Sequence, residues 1–215
     1  MNRNTELVFI LDKSGSMSGK ESDTIGGFNA MLKKQKQEEG AAHVTTVLFD
    51  DRFEILHDRL DIRFVQPITE KEYYVGASTA LLDAVGYTIY KIKEKMRASD
   101  YEGESTNVIV VIVTDGYENA SRRYRYPQIR ELVDQHKKMG WEFIFLGANI
   151  DAIGAAADIG IGADRARNFY ADKHGIAANY MAVSSAVSMI RGSGKVAENW
   201  DEELKKDQES RKMGN

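Results

Sequence analysis

The sequence predicts a single α/β domain, doubly wound around a mainly parallel sheet of about six strands, with one antiparallel edge strand and helices on both faces. Three observations carry this. Apolar runs of strand length alternate with segments whose apolar residues recur at helical spacing. Two of the runs, at 7–11 and 108–113, are apolar throughout, as in parallel strands covered on both faces. Only Asp50, Asp51 and Arg52 separate Phe49 from Phe53, too short a link for a crossover helix, so the flanking strands form a hairpin.

In order, the strands fall at 7–11, 44–49, 53–57, 108–113, 141–146 and 167–170. A helix from Ile25 to about Gln37 comes after the first strand. Leu82, Val85, Ile89, Ile92 and Met96 recur at steps of three and four and mark a second helix. Ile129, Leu132, Val133 and His136 mark a third, opened by Pro127 and closed by Gly140. Ile176, Tyr180, Val183, Val187 and Ile190 mark a fourth. Gly192-Ser193-Gly194 then breaks the pattern, and the remainder of the chain is mostly Lys, Glu and Asp. Residues 4–191 therefore read as the domain and 192–215 as a charged C-terminal tail, frayed or disordered, unless Trp200 and Leu204 anchor it as a docking segment.

Composition narrows the function classes. Hydrophobic residues make up 42% of the 215, enough for a sizeable core. The net charge of −4 argues against a protein built to coat nucleic acid. With no cysteine, disulfides, zinc–thiolate centres and thiol nucleophiles are excluded. No apolar stretch approaches the ~20 residues a membrane span needs. Residues 1–6 lead into a strand rather than a signal-peptide core, so a cytoplasmic location is expected.

The chemistry-bearing residues sit at strand ends. Asp12, Ser14 and Ser16 stand at i, i+2 and i+4 directly after Leu7-Val8-Phe9-Ile10-Leu11. Ligands of open α/β sheets bind beyond the carboxyl ends of the strands, and this loop leaves from there. One carboxylate and two hydroxyls suit a small hard cation such as Mg²⁺. Thr79 lies at the expected start of the second helix, and Val108 to Val113 run into Thr114-Asp115-Gly116.

Together these segments resemble the metal-ion-dependent adhesion site of von Willebrand factor type A domains, whose pattern is Asp-x-Ser-x-Ser, then a Thr before a helix, then an Asp after a later strand. Asp12, Ser14, Ser16, Thr79 and Asp115 meet it in order. The resemblance implies a Rossmann-like sheet ordered 3-2-1-4-5-6 with the third strand antiparallel. It also implies Mg²⁺ or Mn²⁺ bound directly by Ser14, Ser16 and Thr79. Asp12 and Asp115 would neutralise charge, directly or through water. In the family an Asp or Glu carboxylate of a protein partner fills one open coordination position. The chain looks like the small stand-alone type A proteins of bacteria and phages. Such relatives often work beside AAA+ ATPases, so the expected partner is such an ATPase or, for a phage-encoded chain, a host protein. No nucleic acid, membrane or enzymatic turnover is expected; the rival is a metal-dependent phosphatase or hydrolase using Asp12.

Other features read more plainly. Ser18-Gly19-Lys20-Glu21 matches a helix capping box, the ordinary alternative explanation of the serines. The phosphate-loop likeness at Gly15–Glu21 is one residue short and lacks the final hydroxyl, and Gly160-Ile161-Gly162 lacks a third glycine. No nucleophile-elbow pentapeptide occurs. Asp50 and Asp51 read as turn residues, and His136 as a core or boundary residue. Asp83 reads first as a carboxylate favoured by the helix dipole, second as a brace for the Thr79 loop. The Tyr- and Arg-rich segment from Tyr117 to Tyr126 is either a specificity surface for an acidic ligand or a solvated loop.

Overall fold

A computed structural model describes residues 4–98 and 106–213; the first three residues of the N-terminal reading and the last two of the expected tail lie outside it. Its six strands are β1 (Asn4–Asp12), β2 (Ala42–Phe49), β3 (Phe53–Asp61), β4 (Thr106–Thr114), β5 (Glu142–Gly147) and β6 (Ala166–Asn168). The helices are α1 (Glu21–Gln35), α2 (Leu81–Ala98), α3 (Tyr126–Lys138), α4 (Ala152–Asp158), α5 (Lys173–Ser193) and α6 (Glu202–Met213). The sheet order is β3-β2-β1-β4-β5-β6, with β2–β3 antiparallel and the other neighbours parallel. Both the order and the antiparallel edge agree with the expectation.

The two-residue period of the central strands divides the core. Leu7, Phe9 and Leu11 of β1, with Ile109, Val111 and Val113 of β4, face α1, α5 and the C-terminal segment. Val8 and Ile10, with Val108, Val110 and Ile112, face α2, α3 and α4. These side chains are essentially fully buried, each worth about 1.5–3 kcal/mol relative to exposure. On the first face Phe28 packs edge-on to Phe9, with ring centroids 5.3 Å apart. Gly27 lets α5 close on α1, since a Cβ there would lie 2.3 Å from the Tyr180 ring. His136 is buried against Trp141, as its helical position predicts.

Five local differences from the sequence reading stand out. β3 does not stop at His57 but runs to Asp61, because bulges near Leu56 and Arg59 interrupt the alternation that marks a strand in sequence. β6 lies at Ala166–Asn168 rather than 167–170, since the chain then turns toward the α5 cap, where Asp172 accepts Gly175 N–H. α4 has no counterpart in the sequence reading: its seven residues are mostly small and present no apolar stripe, and Asp151 caps it through Gly154 N–H. α1 starts at Glu21 rather than Ile25, with Glu21 and Asp23 in its first turn. The capping box does not form; the N-cap position falls to Lys20, which makes no side-chain cap bond.

The segment after Arg191 is neither frayed nor disordered up to Met213. Val196, Trp200 and Leu204 recur every four residues and are buried in the α1/α5 face of the core, a stripe hidden in sequence by the surrounding charge. Trp200 donates its indole N–H to Asp164 O at 3.0 Å. Arg211 of α6 is paired with Asp172 at 2.6 Å, and buried Asp201 is paired with Arg167. No helix among the described residues is long and apolar enough to cross a membrane.

Candidate metal centre

The parallel register of β1 and β4 sets the site. Leu11 pairs with Val113, so Asp12 and Thr114 leave the sheet side by side. Thr114 donates its hydroxyl to Asp12 Oδ2 at 2.5 Å, and Ser14 N–H donates to Asp12 Oδ1 at 2.7 Å. Asp12 is thus an internal brace that folds the loop back over the strand end. Two backbone bonds staple this loop to the one before α2: Gly15 N–H to Ala77 O at 2.8 Å, and Gly76 N–H to Lys13 O at 2.7 Å. Buried Tyr73 adds a hydroxyl bond to Asp12 O.

The staples bring three hydroxyls together. Ser14 Oγ and Ser16 Oγ are 3.1 Å apart. A Cβ placed on Gly116 would lie 3.1 Å from Thr79 Oγ1, 3.2 Å from Ser16 Oγ and 3.9 Å from Ser14 Oγ. The three oxygens therefore converge on a cradle that stays open because residue 116 has no side chain. Ser14 and Thr79 are buried while Ser16 is exposed, so the cradle opens to solvent on the Ser16 side. Asp115 is buried beside it; among the described residues its Oδ1 has no hydrogen-bond partner, and Oδ2 is 2.6 Å from Lys20 Nζ. All five sequence-predicted residues are brought to one strand edge.

The two carboxylates are held in a buried setting. Burial pushes the Asp12 carboxyl up from its ordinary value, against the hydrogen bonds of Ser14 and Thr114; the nearby Asp115 charge pushes the same way. Two buried carboxylates, one of them with an orphaned oxygen, and three convergent hydroxyls make a hard-oxygen donor set of the kind that suits Mg²⁺ or Mn²⁺. Among the described residues no group of three or more His, Asp or Glu gathers as a metal cluster, at this edge or any other, so the donors here are mainly hydroxyls.

The loop after β4 is fixed by carboxylates whose roles sequence reasoning missed. Glu118 accepts from Ala120, Ser121 and Leu82 N–H, and so caps the start of α2. Asp83 accepts the backbone N–H groups of Arg122, Arg123 and Tyr124, each at 2.9 Å. It braces the 116–126 loop rather than the Thr79 loop, and serves more than the helix dipole. Thr79 is held by Asn119, whose Oδ1 accepts Thr79 N–H at 2.9 Å and whose N–H donates to Thr79 O. Asp50 is a turn residue as expected, accepting Arg52 N–H at 2.8 Å. Lys20 reads in sequence only as part of a cap; no local pattern signals that it reaches a carboxylate 95 residues away.

Comparison with known proteins agrees with this architecture. The sequence profile of the von Willebrand factor type A domain matches residues 6–179. No curated protein matches the chain in sequence. Among solved structures, proximal thread matrix protein 1 from the mussel byssus, with a zinc-occupied MIDAS motif, superposes with a TM-score of 0.58 at 14% identity, over 85% of this chain and 45% of that one. A von Willebrand factor type A protein from Catenulispora acidiphila gives 0.58 at 14% identity, over 86% and 42%. The ArnB paralog VWA2 from Sulfolobus acidocaldarius gives 0.53 at 14% identity, over 86% and 45%. The chain thus spans less than half the length of each, and at such identity the likeness speaks for the fold alone. Over most of its length, from β1 into α5, this chain belongs to the von Willebrand factor type A domain family.

Proposed function

We propose that the chain is a non-enzymatic, divalent-metal-dependent protein-interaction module. Ser14, Ser16 and Thr79 would hold Mg²⁺ or Mn²⁺ through their hydroxyls, with Asp12 and Asp115 supplying negative charge. The bound ion offers an electrophilic position to an Asp or Glu carboxylate of a protein partner. The observation that carries this reading is the convergence of the three hydroxyls on Gly116, where a single methyl group would fill the cradle.

The surroundings suit an acidic ligand. Arg122, Arg123 and Arg125 are exposed on the loop that begins at Gly116, and Asp83 fixes the backbone of the first two. Tyr117 on the same loop and Tyr126 at the first position of α3 are exposed, and Tyr with Arg is the pairing favoured at interface hot spots. The phosphatase alternative fits less well. Both Asp12 carboxylate oxygens are engaged by Ser14 and Thr114, which leaves no free nucleophile. Lys13, the neighbouring candidate for a phosphate clamp, is buried and bonded to Glu54 at 2.7 Å.

The test is affinity capture from a lysate of the native host with Mg²⁺ or with EDTA, using wild type and Thr79→Ala. Partners retained by wild type with Mg²⁺, and lost with EDTA and with Thr79→Ala, are expected. Thr79→Ala should cost more in capture than in melting temperature. Partners retained under every condition would move the binding surface off this edge.

A further inference from the structure

Lys20 stands at the entrance to α1, four residues beyond Ser16, and reaches back to the Ser16 backbone carbonyl and the Asp115 carboxylate. Gly19, at φ +80°, turns the chain, and Lys20 N–H closes the turn on Met17 O at 3.0 Å. The side chain then runs inward until only 18% of it is exposed. Its ammonium donates to Ser16 O at 2.5 Å and to Asp115 Oδ2 at 2.6 Å. It therefore grips two of the five residues assigned to the ion, and one of them is a carboxylate with a fully buried side chain.

The charge balance gives this contact a consequence. Asp12, Asp115 and Lys20 leave the site one negative charge. A divalent ion makes the loaded site positive by one, and a single carboxylate from outside makes it neutral. Without the ammonium, the ion alone would balance the two carboxylates, and an arriving carboxylate would leave an excess of negative charge. In a partly buried site such imbalances are costly, because little solvent screens them.

Resting on the metal reading above, we propose that Lys20 is a tethered competing cation. It keeps the affinity for the divalent ion low while the ion is alone, and makes ion and partner carboxylate bind as a pair. The coupling is reciprocal: whatever the carboxylate gains from the ion, the ion gains from the carboxylate. Metal capture at this edge is thereby tied to the presence of an acidic ligand, and Lys20 sets how strongly.

The experiment is Mn²⁺ binding to the full chain, monitored by the electron paramagnetic resonance signal of free Mn²⁺. It compares wild type, Lys20→Met and Lys20→Arg, each first shown to be folded by its melting temperature. Lys20→Met is expected to bind Mn²⁺ roughly tenfold tighter than wild type, the order expected for removing one like charge near the ion. Lys20→Arg, which keeps the charge, should stay within about threefold of wild type. Sodium acetate, against chloride at equal ionic strength, should tighten Mn²⁺ more in wild type than in Lys20→Met. If wild type binds and Lys20→Met binds equally or more weakly, Lys20 is not a competitor; a weaker result would make it a positioning residue for Asp115. Equal acetate effects in the two proteins would overturn the pairing. If neither folded protein takes up Mn²⁺ at millimolar concentration, the metal reading itself falls, and the role of Lys20 with it.

Discussion

Thr114 donates its hydroxyl to Asp12 Oδ2 at 2.5 Å, joining the ends of the two central strands across 102 residues of sequence. Both groups are buried, and Thr114 Oγ1 also accepts Gly116 N–H at 3.2 Å. One hydroxyl thus positions both the brace of the Asp12 loop and the glycine that keeps the cradle open. Thr114→Val preserves the shape and removes both bonds. It should cost about 1–3 kcal/mol, the range for stranding a buried polar partner. Urea denaturation measures this, and a change below about 0.5 kcal/mol would show the contact to be energetically idle.

A second expectation concerns the C-terminal segment. Trp200 is fully buried and carries α6 onto α5. Trp200→Ala should destabilise the whole domain by about 3–5 kcal/mol, the usual cost of emptying a large aromatic site. Lys206→Ala, on the exposed face, should change stability by less than about 0.5 kcal/mol. If both variants melt with wild type, the segment is an appendage rather than part of the core.

A third concerns His57, buried on β3 with Nδ1 3.0 Å from Thr46 Oγ1. Burial pushes its imidazole below the ordinary 6.5, and nearby Lys36 acts in the same direction; a backbone contact at Gln66 and the charge of Glu72 oppose it less strongly. The unfolded chain therefore takes up a proton as pH falls through 6.5, while the folded chain does so only lower. The His57 contribution is fully present above 6.5 and declines as pH falls from there toward the folded value. Urea midpoints at about pH 7.5 and about pH 5.5 should differ more for wild type than for His57→Gln. Equal differences would assign the slope to other groups.

How far sequence carries can be judged from particular residues. Leu7 to Leu11 and Val108 to Val113 announce their strands because both faces are covered, which leaves short unbroken apolar runs, the second entirely β-branched. The short Phe49–Phe53 link announces the antiparallel edge. α4 gives no signal, because Ala155, Ala156 and Ala157 bury little and leave no period to read. The C-terminal segment misleads because Trp200 and Leu204 are spaced through a run of charge. At the site, the five candidate residues are legible because they sit in short local patterns. Lys20, Glu118, Asn119 and the bracing role of Asp83 are not, since each acts through a contact 36 or more residues away, set by the sheet register. Sequence patterns name the candidate oxygen donors; only the fold shows what holds them and that Lys20 lies against Asp115.

The most direct measurement is Mn²⁺ binding to wild type and to Gly116→Ala. The added methyl group would lie 3.1–3.2 Å from Thr79 Oγ1 and Ser16 Oγ, inside the cradle and away from the core. Gly116 does not have the positive φ that would make alanine a strain on the backbone. Wild type should bind one Mn²⁺ per chain, weakly. Gly116→Ala should lose at least about tenfold in affinity, roughly 1.4 kcal/mol, with a melting temperature close to wild type. Equal Mn²⁺ binding by the two proteins, or none by wild type at millimolar Mn²⁺, would contradict the metal-cradle assignment.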